Sequence, residues 1–187
     1  MSRQEIADFC NTHNACSDGR DWALDSCESM HDVWLTARPD WLIWVATRPE
    51  VLSDRDLRLF ACWCARQVWH LLKDDRSKNA VIVAEKYAVG EATAEELKAA
   101  EAAAEAAVKA AWGETWTAEW AAARSAEWTA AAEWAAAEWS AEACAAAACA
   151  AAALSANAAN DEKKAAREAQ AEYLRDRFSP FLNEETK

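Results

Sequence analysis

Glycine and proline are nearly missing, with three of each in 187 residues. Both interrupt regular structure, proline by losing a donor and clashing with the preceding turn, glycine through its backbone freedom. A chain so poor in them, rich in Ala and Glu and short of β-branched residues, has little with which to build a turn-rich sheet. The predicted class is all-α, a compact helical domain with long Ala/Trp-rich helices packed as a hairpin or bundle.

Histidine is as sparse, at positions 13, 31 and 70. Nucleophilic catalysis needs an activated Ser or Cys beside a His and a third orienting group, and no local signature of such a site occurs. GxGxxG, P-loop and HExxH motifs are missing too. Paired carboxylates at Asp54 and Asp56, or Asp74 and Asp75, fall at helix ends, where acids are ordinary caps. No enzyme is expected.

Metal ligands come in incomplete sets. Cys10, His13 and Cys16 form C-x2-H-x2-C with Cys27 further on, but structural zinc wants four ligands in two pairs, and the second pair is not evident. Cys62 and Cys64 with His70 are weaker, since residues two apart face different sides of a helix. Seven cysteines is an odd number without the spacing of a secreted disulfide scaffold. They are expected to be mostly reduced and buried as small hydrophobes, with no metal or cofactor.

Long apolar runs are also missing. The start, MSRQEIADF, cannot serve as a signal peptide, and the longest apolar stretch, Ala143 to Leu154, is mostly Ala and too short to span a bilayer. A cytoplasmic protein without a membrane partner is expected. Net charge is −12. Residues 1–90 carry 11 basic and 14 acidic side chains, a balance of −3, and residues 91–187 carry 9 and 18, a balance of −9. Such a field favours solubility, repels nucleic acid and suits a basic protein surface.

What is abundant is tryptophan, twelve in all, six of them in the Ala-rich residues 111–154. Alanine makes this stretch helical wherever Gly113 does not interrupt it. AEW units at 118–120, 126–128, 132–134 and 137–139 place a carboxylate before each indole. From residue 130 a five-residue step takes over, which turns a helix by about 140° and spirals Trp134, Trp139, Cys144, Cys149 and Leu154 around its axis. Core packing explains any one of these indoles. As a partner-binding face the candidates are Trp116, Glu119, Trp120, Glu127, Trp128, Glu133, Trp134, Glu138 and Trp139, because Trp is a preferred interface anchor and an acidic rim steers a basic partner.

Taken in order, the spacing predicts helices over residues 3–14 and 18–27, a short turn from the cap Ser29 through Trp34, and a helix opening at Pro39 and stopped by Pro49. The clearest amphipathic helix runs from the cap Ser53 to about Leu72. Another covers residues 77–89, ended by Gly90, and the capping box Thr93 to Glu96 opens one that runs to Trp112. Residues 155–161 read as a turn and 162–178 as a last helix with Ala169, Tyr173 and Phe178 inward. This divides the chain into an N-terminal core region, 1–92, a long-helix region, 93–178, and a tail, 179–187.

Ala15-Cys16 with Gly19, Trp22 and Cys27, then Val33-Trp34, Pro39-Asp40-Trp41 with Leu42 and Trp44, Cys64-Ala65-Arg66 and Gly90-Glu91-Ala92-Thr93 together resemble the small helical immunity proteins of the immunity-five-like group, found in bacterial polymorphic-toxin loci and in phage genomes. The likeness covers less than half the chain and rests mainly on core-like residues. It implies a non-catalytic binder that neutralises a toxin or defence protein, and the acidic balance makes a basic toxin, nuclease or defence protein the expected partner. The alternative expectation is a phage counter-defence sponge that sequesters a nucleotide-like signal in a Trp-lined pocket, which requires a cavity with a basic group in it. A self-associating helical protein with the Trp spiral between chains is the third.

Overall fold

The computed structural model describes residues 3–111, 121–126 and 156–181, and every regular element among them is helical. In chain order these are α1 (Arg3–Thr12), α2 (Ser17–Ser26), α3 (Met30–Thr36), α4 (Pro39–Ala46), α5 (Asp54–Gln67), a 3-10 turn (Trp69–Leu71), α6 (Asp75–Ala88), α7 (Ala94–Ala111) and α8 (Ala156–Arg177). A further helical stretch covers 121–126. None of the described helices is long and apolar enough to cross a membrane.

Local chemistry sets the boundaries. Ser29 and Ser53 cap α3 and α5, their hydroxyls accepting from the amides of Asp32 and Asp56 at 3.1 and 3.2 Å. At α7 the box is complete, with Glu96 N–H donating to Thr93 Oγ1 at 3.2 Å and Thr93 N–H to Glu96 Oε2 at 2.8 Å. Two helices end in the left-handed motif that satisfies their last carbonyls. Asn14 (φ 54°) closes α1, with Ala15 N–H bonded to Cys10 O at 2.9 Å, and Gly90 (φ 80°) closes α6, with Glu91 N–H bonded to Lys86 O at 2.8 Å.

Three boundaries differ from expectation. The long amphipathic helix ends at Gln67 instead of near Leu72, and the chain tightens into the 3-10 turn, whose amides at Leu71 and Leu72 bond the carbonyls of Val68 and Trp69. Helix α6 opens at Asp75, because Asp74 accepts from Arg76 N–H at 2.8 Å and caps it before Ser77 is reached. The stretch predicted as a turn after Ser155 is helical from Ala156, since three alanines and no Gly or Pro let α8 extend backward.

Trp34, 1% exposed, is the largest fully buried side chain among the described residues, in one core with Ile6, Leu42, Phe60 and Leu174. Helices α5, α6 and α7 pack in succession, while α8 lies along α4. On α8 the fully buried positions are Gln170, Ala171 and Leu174, one step around from the expected Ala169. Tyr173 still reaches the core, stacked on Trp63 at 4.5 Å between ring centres. Arg175 donates to the carbonyls of Trp34 and Ala37, so α8 caps the end of α3. Beyond α8, Phe181 packs edge-on against Phe9 and Trp34 at 6.5 and 6.0 Å. Ala121, Ala122 and Ala126 join the same core, with Ser125 buried beside them.

Candidate functional site

Helices α1 to α4 do not close completely on one another. Between them lies a cavity of about 520 Å³, within the 300 to 1,000 Å³ range usual for small-molecule sites. Ile6, Phe9 and Cys10 come from α1, Gly19, Trp22 and Ala23 from α2, Met30 and Val33 from α3, and Trp41, Ile43, Trp44 and Val45 from α4. Asn14, Ala15 and Cys16 of the α1–α2 turn, Asp40 and the α8 residue Arg167 complete the wall. The left-handed Asn14 sets the turn that brings α2 back across α1.

The wall is apolar on most sides and aromatic on one. Trp22 and Trp41 meet at 5.2 Å between ring centres, tilted by 37°, and Phe9 stands edge-on to Trp44 at 6.1 Å. Gly19 makes the first pair possible. A Cβ there would sit 3.2 Å from Cys16 Sγ and 3.4 Å from the Trp41 indole nitrogen, so a side chain at 19 displaces one or the other. Cys16 Sγ meanwhile accepts from Gly19 N–H at 3.4 Å and caps α2.

Two of the three indoles carry a guanidinium. Arg38 lies over Trp41 at 4.1 Å and Arg48 over Trp44 at 4.9 Å, contacts worth about 0.5 to 2 kcal/mol each depending on solvent access. Arg48 is buried and also donates to Trp44 O at 2.9 Å. Arg167, its side chain 14% exposed, meets Asp40 with Nε 3.5 Å from Oδ1 at the rim. Cys10 is the buried thiol of the wall, and burial pushes its pKa up, so it stays protonated and a poor nucleophile. Among the described residues no group of three or more His, Cys, Asp or Glu is placed to hold a metal ion. The arrangement suits non-covalent retention of a flat, mostly apolar molecule.

All nine residues proposed from sequence as a partner-binding face, Trp116, Glu119, Trp120, Glu127, Trp128, Glu133, Trp134, Glu138 and Trp139, lie outside the described residues. So does Gly113, while of the bend expected near Arg124 to Trp128 only residues 124–126 are described, and these are helical. The aromatic site that the structure does describe comes from the other half of the chain. Trp22, Trp41 and Trp44 read in sequence as core contacts of short helices, yet each is only half-buried and faces the cavity.

No family model, no curated protein and no solved structure matches the chain.

Proposed function

We propose that this chain is a non-catalytic binding protein whose ligand is a flat, largely apolar small molecule held in the cavity among α1 to α4. The observation that carries this reading is the cavity's make-up: about 520 Å³ of space with three indoles in its wall and one buried thiol held protonated. Aromatic faces retain planar rings by stacking, worth about 1 to 3 kcal/mol per ring. Retention without chemistry amounts to sequestration, as in a sponge that removes a signal stoichiometrically. Arg167 in the same wall, with Nε 3.5 Å from Asp40 Oδ1, is a basic group that supports this reading.

The test is mass spectrometry of small molecules released by heat from purified protein, beside an Ala23→Phe variant. Ala23 is 4% exposed in the cavity wall, so a phenyl group there occupies the space a ligand would take. Wild type should release a molecule that the variant lacks. Equal release from both would sink the reading.

A second reading, immunity-type inhibition of a basic toxin, nuclease or defence protein, is favoured by the charge balance of −9 over residues 91–187. Replacing two or more of Glu119, Glu127, Glu133 and Glu138 by Lys should slow association with such a partner in low salt. Unchanged on-rates would remove the steering argument.

A further inference from the structure

The cavity opens beside a second depression, an open groove of about 340 Å³ between the start of α4 and the face of α8. Its charged wall consists of Arg38, Asp40, Lys163, Lys164, Arg167 and Glu168. Four cations against two carboxylates make this spot locally positive in a chain of net charge −12. Lys163, Lys164 and Arg167 recur at three- and four-residue spacing and so form one stripe along α8. Asp40 and Arg167 belong to both walls, so groove and cavity are neighbouring compartments. Arg38 links them as well, since its guanidinium lies on Trp41, whose ring faces the cavity.

We infer that the groove is the anion subsite of the cavity's ligand, which makes that ligand a phosphorylated aromatic molecule of the nucleotide class. The inference rests on the reading of the cavity as a ligand site. The ring system lies among Trp22, Trp41 and Trp44, and the phosphate rests between Arg38 and the α8 stripe. A guanidinium stacked by its face keeps its five donors in its own plane, the geometry that recognises phosphate. The carboxylates already present are weak competitors. Lys164 meets Glu168 at 3.8 Å with both side chains largely exposed, a surface pair that contributes little, and Asp40, 3.5 Å from Arg167 Nε, is itself largely exposed. A dianionic phosphate answers the four cations better than a single carboxylate does. The chain's overall negative field disfavours a long polyanion and leaves a free mononucleotide as the better source of that chemistry.

Calorimetry with two matched pairs of probes tests this: adenosine against AMP, and 1-naphthol against 1-naphthyl phosphate. The phosphorylated member of a pair should bind at least about tenfold more tightly, with an advantage that shrinks as salt rises. In the double variant Lys163→Glu/Lys164→Glu the advantage should disappear while the neutral member binds as before. Arg38→Gln, which leaves α8 intact, should reduce it several-fold and guards against a folding defect in the double variant. Equal affinity within both pairs on wild type overturns the anion subsite but leaves the cavity reading standing. No binding by any probe, with Ala23→Phe indistinguishable from wild type, overturns both. A single-stranded oligonucleotide that displaces AMP at equal concentration overturns the assignment to a free nucleotide.

Discussion

The indole Nε1 of Trp34 donates to the carbonyl oxygen of Phe178 at 3.1 Å, joining positions 144 residues apart. Arg175, one turn earlier on α8, returns the tie by donating to Trp34 O at 3.3 Å and to Ala37 O. The end of α8 and the end of α3 therefore satisfy each other's polar groups in the core, where an unpaired group is expensive.

Trp34→Phe keeps an aromatic ring but leaves the Phe178 carbonyl without this donor and opens a small void. Destabilisation of about 2 to 4 kcal/mol is expected from the two effects together. Urea unfolding followed by circular dichroism would measure it, and a loss below about 0.5 kcal/mol would show that the tie is dispensable.

Thr93→Ala removes one half of the reciprocal cap at α7, whose two hydrogen bonds are 3.2 and 2.8 Å long. A loss of about 1 kcal/mol is expected. Thr93→Ser should restore most of it, because the hydroxyl rather than the methyl group accepts from Glu96 N–H.

Burial pushes the Cys62 thiol up to about 12, which leaves roughly one thiolate in ten thousand at pH 8. Cys10, Cys27 and Cys64 are buried as well, whereas Cys16 is exposed at the cavity wall. A thiol reagent followed by peptide mapping should modify Cys16 first among these five and leave Cys62 untouched until the protein unfolds. A ligand in the cavity should slow the reaction at Cys16, giving an occupancy assay that needs no knowledge of the ligand.

Asp32 has its pKa held below the usual carboxylate value, first by the Ser29 hydroxyl and then by the Glu28 amide, each donating to Oδ2 at 3.0 Å. A carboxylate whose folded pKa is depressed contributes stability above its unfolded value of 3.8 and loses it as pH falls from there through the folded value. Asp32→Asn should therefore be less stable than wild type at pH 6, with the gap closing below pH 4. A gap independent of pH in urea titrations would assign the effect to packing.

Most of the helical frame can be read from the sequence because its boundaries are written in local chemistry. Ser29, Ser53, Pro39, Gly90 and the Thr93 to Glu96 box each act on neighbours within four residues. The frame is misread where the deciding groups are less explicit. Asp74 and Ser77 are both reasonable caps, and an alanine-rich stretch before Glu162 contains Asn157 and Asn160, which suggest a turn that alanine overrides. The cavity is harder to foresee. An indole that faces a void and one that fills a core have the same spacing in sequence, so Trp22, Trp41 and Trp44 carry no mark of the space between them. The α8 cations follow the same logic: nothing in the spacing of Lys163, Lys164 and Arg167 places Asp40 and Arg38 across from them.

Arg167 also bears on when the site comes into being. During synthesis the three indoles emerge with the first four helices, while the residue that completes the cavity wall and the lysines of the groove follow more than a hundred positions later. A nascent chain can collect its aromatic contacts and Arg38 early, but the other cations of the groove arrive only when α8 has folded along α4. Contacts this distant in sequence form late, so an incomplete or interrupted chain presents the α1 to α4 wall without Arg167 and the two lysines that lie across from it.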